Sequence, residues 1–138
     1  MIYLDNAATT VPDAGAVNAA LQYLQPQGFY NPSALYRAGF AAHKAVEEAR
    51  KTLLSLLAPR GGYELVFTGS GSEADNQAIF SCAHRGNFVT TAGEHAAVYN
   101  TAKELEKRDV EVRFAPLLPD GRVDAAALLS LVDKETSC

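Results

Sequence analysis

The sequence predicts an α/β protein with a mostly parallel sheet and flanking helices. From residue 63 onward, short β-rich runs alternate with longer helix-forming runs, which is the pattern of βαβ units. A loop rich in glycine and serine joins the first of these strands to the helix that follows it. There is no internal repeat that would indicate a repeat architecture. In such sheets, ligands bind at the carboxyl ends of the strands, so the loops at those ends are the first place to look for a site.

Two helices are predicted in the first 62 residues. The first covers about residues 12–24, and the second and longest covers about residues 33–57, after an Asn31-Pro32-Ser33 loop. Apolar residues recur in both at three- and four-residue steps, which places them on one face of each helix. They are Val17, Ala20, Leu21 and Leu24 in the first helix and Ala42, Val46, Ala49, Leu53 and Leu56 in the second.

The alternating elements then follow in order. They are a strand at 63–68, a helix at 72–84, a strand at 87–91, a helix at 95–108, a strand at 110–115 and a helix at 124–132. In this alternation a further strand should follow, and residues 133–138 stand where it would begin. We divide the chain into an N-terminal arm and helix, residues 1–30, and the start of an α/β domain, residues 31–138.

Composition is typical of a soluble globular protein and argues against several function classes. Hydrophobic residues make up 48% of the chain and charged residues 20%, so 138 residues can bury a core. The net charge of −4 leaves no electrostatic footprint for nucleic acid, and no apolar run approaches a membrane span. Cys82 and Cys138 have neither disulfide-framework nor metal-ligand spacing. Because no signal peptide is visible, we expect a cytoplasmic protein with no metal, nucleic-acid or membrane partner.

The glycine-serine loop at 68–72 indicates a phosphate site. A helix that begins directly after a strand presents unpaired N–H groups and the positive end of its dipole. Gly69 and Gly71 allow close approach, and Ser70 and Ser72 add hydroxyls. The spacing matches neither the nucleoside-triphosphate loop nor the dinucleotide fingerprint, so a small cofactor phosphate fits better. An ordinary strand-to-helix turn with a serine cap is the alternative.

Four motifs in register across nearly the whole chain carry a family resemblance. They are YLDNAATT at 3–10, NPSALYRAG at 31–39, FTGSGSEADN at 67–76 and GEHAAVYN at 93–100. Together they resemble the cysteine desulfurases, in the class V branch of the fold-type I pyridoxal-phosphate enzymes. The resemblance covers the N-terminal third of that family's enzymes, so it implies part of the large cofactor-binding domain of such a transferase. It also implies that the chain is a truncated piece of a longer enzyme.

The resemblance implies pyridoxal 5'-phosphate as the cofactor and assigns residues to it. Gly71 and Ser72 would bind its phosphate, and His95 would stack on its ring and transfer protons as a catalytic residue. An imidazole suits both tasks, since it is flat and titrates near neutral pH. A helix-cap or surface histidine is the alternative for His95.

We expect structural roles for the polar residues that follow the glycine-serine loop. Glu73 is expected to point away from the phosphate and make a structural contact, since its carboxylate would repel a dianion. Asp75 and Asn76 are expected to cap or brace the loop rather than take part in catalysis.

The N-terminal motif is expected near the substrate. In the family this stretch lies close to the substrate amino acid, which places Asn6, Ala7 and Ala8 there. Small residues let the backbone approach a ligand. A tightly packed arm with no substrate role is the alternative.

The resemblance also shows what the 138 residues lack. The Schiff-base lysine, the carboxylate on the pyridine nitrogen and the reactive cysteine all lie downstream in the family. The lysines present match no family lysine motif. We therefore expect an N-terminal fragment of an enzyme that converts L-cysteine to L-alanine, inactive when alone.

Further expectations follow from the resemblance. They are a homodimer and a sulfur-acceptor protein, in sulfur transfer for iron–sulfur cluster assembly or tRNA thiolation. Selenocysteine lyases and other class V aminotransferases or lyases share the phosphate loop and remain alternatives. A non-enzymatic α/β binding module is the alternative of a different class.

Overall fold

Five helices and two strands follow one another along residues 2–138, the part of the chain that the computed structural model describes. They divide into two units. The first ends at Val66, and the second runs from Phe67 to Cys138. Each unit is described by itself, and the loops that the sequence marked for the phosphate and for His95 belong to the second.

The first unit contains the two predicted helices. Helix α1 covers Ala14–Leu24, and the carboxylate of Asp13 caps it by accepting the N–H groups of Gly15 and Ala16. Helix α2 covers Arg37–Leu57 and begins four residues later than predicted. The reason is the turn before it, where the side chain of Asn31 accepts the N–H of Ser33 at 2.8 Å and so competes with helix formation.

The predicted strand at 63–68 is wrong. These residues belong to no strand ladder in the described part of the chain, although the guanidinium of Arg50 on α2 donates to the carbonyl of Leu65. A strand needs a neighbouring strand to pair its backbone groups, and residues 63–68 straddle the boundary between the two units. Their composition favours an extended backbone, but residues 63–68 have no strand to pair with among residues 2–138.

The second unit alternates helices and strands as predicted. Its elements are α3 (Gly71–Ala83), β1 (Phe88–Thr91), α4 (Ala96–Glu106), β2 (Val112–Ala115) and α5 (Ala125–Ser130). Each begins and ends within about two residues of the predicted bounds. The sequence periodicity predicts these bounds correctly because the apolar faces of the elements pack on one another within the unit.

The sheet is parallel, with β1 paired on both sides. β1 and β2 run parallel with Phe88 opposite Val112 and Thr91 opposite Ala115. On its other side β1 pairs with residues 135–138, since the N–H of Val89 donates to the carbonyl of Cys138 at 2.9 Å. A further strand is predicted after the last helix, and residues 135–138 pair there with β1 through an isolated parallel bridge between Asn87 and Thr136. A central position explains why three of the four residues of β1 are buried.

A glycine and a polar cluster seat residues 135–138 against β1. A Cβ on Gly86 would lie 2.0 Å from the carbonyl oxygen of Glu135, so only glycine permits this approach. Asn87, which is buried, donates its amide to the carboxylate of Asp133 and accepts the hydroxyl of Thr136. The carboxylate of Asp133 also pairs with Arg113 on β2 at 2.7 Å. These contacts join the turn before residues 135–138 to both strands of the sheet.

The core of the second unit lies between α3, α4 and the sheet. Its buried members are Ile79, Ala83, Phe88, Ala102 and Leu105. Ala83 on α3 and Ala102 on α4 are fully buried, and small side chains at these positions let helices approach closely. The close packing of α3 and α4 sets the spacing between their N-terminal ends, which carry the candidate site.

Candidate functional site

The N-terminus of α3 is capped in a way that leaves two backbone donors free. The hydroxyl of Ser70 accepts the N–H of Glu73 at 3.2 Å, and the carboxylate of Glu73 accepts the N–H of Gly69 at 2.7 Å. Glu73 therefore makes the structural contact that was predicted for it. The N–H groups of Gly71 and Ser72 have no partner within residues 2–138, and both residues are exposed.

Gly71 and Ser72 form an open cradle for an anion. A Cβ on Gly71 would meet no atom within 4 Å, so the space beside it is open. The hydroxyl of Ser72 has no hydrogen-bond partner among the described residues and lies beside these two N–H groups. Unpaired donors at a helix N-terminus, together with the helix dipole, attract negative charge.

His95 lies at the end of the loop that follows β1 and caps helix α4. Its Nδ1 atom accepts the N–H of Ala97 at 3.1 Å. Because Nδ1 is the acceptor, the neutral ring carries its proton on Nε2. The alternative interpretation of His95 as a helix cap is thus correct as a description of its Nδ1 atom. The ring is exposed, so Nε2 is available to a ligand.

One cleft brings Ser72 and His95 together. It has a volume of about 310 Å³ and lies between the N-terminal halves of α3 and α4. Ser72 and His95, which the sequence places after two different β-rich runs, thus line the same cleft, and their binding roles stay predictions. The remaining lining residues are Asn76, Ala96, Ala97, Asn100, Thr101 and Glu104.

The cleft has no lysine or arginine among its lining residues in the described part of the chain. Its only charged member, Glu104, is paired, and the side chains of Arg108 and Lys107 hold the pKa of this carboxyl below its usual range. Attraction of an anion therefore depends on the backbone N–H groups and the helix dipole of α3. Among residues 2–138, no group of three or more His, Cys, Asp or Glu side chains could hold a metal ion.

The sequence did not identify several residues of the cleft. Asn100, Thr101 and Glu104 lie one or two turns after His95 on the same helix, and helical spacing is the one signal that could have found them. Asn76 was expected to brace the loop, and its amide donates to the carbonyl of Ser72 at 2.6 Å.

Asn6, Ala7 and Ala8 lie in the first unit. They belong to a turn in which the N–H of Ala8 donates to the carbonyl of Asp5, and the hydroxyl of Thr10 donates to the carbonyl of Asn6. All three residues are exposed. Their substrate role stays a prediction.

The chain is similar to known members of one enzyme family. The family model described as aminotransferase class-V matches residues 2–138. "Cysteine desulfurase 2" of Trichormus variabilis is 36% identical over 142 residues, which cover 99% of this chain and 35% of that protein. "Cysteine desulfurase" of Bradyrhizobium diazoefficiens is 37% identical over 140 residues, with 99% and 35% covered. The chain therefore spans about a third of the length of these curated relatives.

Solved structures show the same fold. The structure of a "NIFS-LIKE PROTEIN" has a TM-score of 0.80 and 26% identity, covering 98% of this chain and 38% of its own. DndA from Streptomyces lividans has a TM-score of 0.75 and 30% identity, covering 98% and 39%. The structure of SspA in complex with cysteine has a TM-score of 0.77 and 26% identity, covering 97% and 40%. The predicted α/β fold with a parallel sheet is confirmed.

Proposed function

We propose that this chain, which belongs to the aminotransferase class-V family, supplies the phosphate-binding and ring-stacking side of a pyridoxal-phosphate site in a cysteine desulfurase. The observation that carries the proposal is the cleft lined by both Ser72 and His95. Ser72 contributes an unpaired backbone donor and a hydroxyl to this cleft, and His95 contributes a flat, exposed imidazole. This combination of groups suits a small aromatic cofactor with one phosphate.

The residues present fit the phosphate. The N–H groups of Gly71 and Ser72 and the hydroxyl of Ser72 would bind its oxygens, and the open space beside Gly71 admits them. The carboxylate of Glu73 accepts the N–H of Gly69, so its contact is within the loop itself. The dipole of the thirteen-residue helix α3 adds to the attraction.

His95 would contact the ring and handle a proton. With Nδ1 fixed by the N–H of Ala97, the ring orientation is set and Nε2 is the atom that exchanges protons with a substrate thiol or amine. When bound, the cofactor acts as an electron sink for the amino-acid substrate. The protein's part is to orient that cofactor and to supply protons from Nε2.

L-Cysteine is the proposed substrate of the whole enzyme. Support comes from the curated relatives named cysteine desulfurases and from the solved complex of SspA with cysteine. The reaction would yield L-alanine and leave the sulfur on a cysteine of the enzyme. No lysine lines the cleft among residues 2–138, so we propose that these 138 residues do not turn over L-cysteine by themselves. Desulfurase activity from the purified 138-residue chain would contradict this part.

The proposal extends to assembly and partners. We place the complete enzyme in the cytoplasm as a homodimer that passes sulfur to an acceptor protein, for use in iron–sulfur cluster assembly. The support is the sequence resemblance. No helix in residues 2–138 is long and apolar enough to cross a membrane.

The phosphate role of Ser72 gives a direct test. Replacing Ser72→Ala removes one donor, and we expect inorganic phosphate to bind about tenfold more weakly, as for loss of a hydrogen bond to a charged group. The measurement is the shift of the Gly71 and Ser72 amide signals in nuclear magnetic resonance spectra during a phosphate titration of the 138-residue chain. The Ser81→Ala variant is a matched control, since its hydroxyl on the same helix donates to the carbonyl of Ala78 outside the cleft. Equal phosphate affinity of the two variants, or no shift of either amide in the parent chain, would contradict the proposed function.

A further inference from the structure

A chain of hydrogen bonds connects Ser72 to His95 through the bodies of two helices. The amide of Asn76 on α3 donates to the carbonyl of Ser72 at 2.6 Å, and its oxygen accepts the hydroxyl of Thr101 on α4 at 2.8 Å. That hydroxyl also lies 2.7 Å from the carbonyl of Ala97. The N–H of Ala97 in turn donates to Nδ1 of His95. The two ends of the cleft are thus joined by contacts that involve no ligand.

The direction of each hydrogen bond in this chain is fixed by chemistry. A backbone carbonyl only accepts, so Asn76 must present its NH₂ group to Ser72 and its oxygen to Thr101. Thr101 must then donate, and its single proton is shared between the oxygens of Asn76 and Ala97. An aspartate or a valine at either position would break the sequence of donors and acceptors.

Burial makes this link stiff, whereas the residues at its ends are exposed. Thr101 is 3% exposed and Asn76 is partly buried. Ser72 and His95 are themselves exposed, and no hydrogen bond joins them directly within the described residues. The Asn76–Thr101 contact is thus a hydrogen bond that joins α3 to α4 beside the cleft, in addition to the apolar packing of the two helices. Buried polar contacts of this kind are costly to leave half-made.

We propose that Asn76 is a positioning residue that acts with Thr101 to hold Ser72 and His95 at the separation one cofactor requires. The inference rests on the proposed function, since it concerns the same cleft. Loss of this positioning should weaken the binding of one kind of ligand and leave that of another unchanged. A ligand that spans both ends, with a ring and a phosphate, needs the correct separation, whereas inorganic phosphate touches only the cradle at Gly71 and Ser72.

The test compares two probes on variants of the 138-residue chain. In Asn76→Ala and in Thr101→Val, we expect pyridoxal 5'-phosphate to bind about tenfold more weakly, with inorganic phosphate affinity within about twofold of the parent. Thr101→Ser keeps the hydroxyl and should restore parental binding of both probes. Gln77→Ala, which shortens an exposed side chain on the same helix, is the matched control and should change neither affinity.

The outcomes separate positioning from other roles. Equal weakening of both probes would show general damage to the helix and overturn the inference. Weakening in Asn76→Ala but not in Thr101→Val would show that Asn76 contacts the ligand itself, which also overturns it.

A ligand-free measurement separates this inference from the proposed function. Residual dipolar couplings report the relative orientation of α3 and α4, and we expect them to change in Thr101→Val and to return in Thr101→Ser. If neither probe binds the parent chain, the proposed function fails, and the dipolar couplings alone decide whether Asn76 and Thr101 fix the relative orientation of α3 and α4. Unchanged couplings in both Asn76→Ala and Thr101→Val would overturn the inference.

Discussion

His95 combines a structural and a chemical task in one ring. Nδ1 caps α4 by accepting the N–H of Ala97, and Nε2 is the atom left for chemistry. Capping needs only an acceptor at the end of a short side chain, whereas stacking needs a flat ring. The two tasks can therefore be separated by substitution.

Two variants of His95 make this separation measurable. His95→Ala loses the cap, and we expect it to lower the free energy of unfolding by about 1 kcal/mol. His95→Asn keeps a side chain that caps helices well, so its stability should stay within a few tenths of a kcal/mol of the parent. Both variants lack the ring and should bind pyridoxal 5'-phosphate more weakly than the parent. Urea denaturation and a ligand titration give the two values.

Equal loss of stability in both His95 variants would contradict the capping role. Unchanged cofactor binding in His95→Asn would contradict the stacking role. The first result bears on Nδ1 as a cap and the second on the ring as a whole, so neither can be mistaken for the other.

At the residue scale, sequence could reveal the ends of the site but not the link between them. Ser72 and His95 were found because each follows a β-rich run and belongs to a recognisable motif. Thr101 was not found, because its partner Asn76 is 25 residues away and no local pattern marks a buried threonine as a hydrogen-bond donor to another helix.

At the element scale, an ion pair secures residues 135–138 beside β1. Asp133 precedes these residues, and the hydrogen bond from Arg113, with further bonds from the amide of Asn87 and the N–H of Glu135, lowers the pKa of its carboxyl to about 2. The ordinary pKa of an aspartate in an unfolded chain is about 3.9. A depressed folded-state pKa stabilises the fold at pH values above the unfolded pKa.

The lowered pKa of Asp133 fixes how the stability of the fold depends on pH. Stability contributed by Asp133 is fully present above about pH 4 and is lost as the pH falls from there toward 2. Asp133→Asn cannot titrate, so we expect this variant to be less stable at pH 6 and to show a shallower fall in stability between pH 4 and 2. Urea unfolding midpoints across pH 2–6 measure both. A variant whose midpoints fall as steeply with acid as those of the parent would contradict the role of Asp133.

The wrong prediction at residues 63–68 shows that local sequence patterns predict helices better than strands. Helices form hydrogen bonds within their own segment, so periodicity located α3 and α4 well. A strand forms its hydrogen bonds with a partner that is distant in sequence, and composition cannot say which segment supplies it. The strand at 88–91 was correct because β2 and residues 135–138 both lie within the same unit.

At the scale of the whole molecule, the two units differ in how much they bury. The second unit has a continuous core between its helices and sheet, whereas Gly39 is the single buried residue of α1 and α2. The apolar stripe predicted for α2 is present, yet Leu56 is 74% exposed in the described structure. The periodicity of a sequence locates apolar surface correctly but does not identify what covers it.

The aminotransferase class-V family and the cleft lined by Ser72 and His95 support the proposed ligand binding by the second unit. The chain spans about a third of the relatives it matches. We therefore expect Ser72 and His95 to bind the two ends of one ligand.

The most direct measurement is a titration of the 138-residue chain with pyridoxal 5'-phosphate, followed by the amide signal of Ser72 and the ring signals of His95 together. We predict that both shift with the same dissociation constant, and that inorganic phosphate moves the Ser72 signal while leaving the His95 ring unchanged. Signals that titrate with different constants, or a His95 ring that does not respond to the cofactor, would contradict a single shared site.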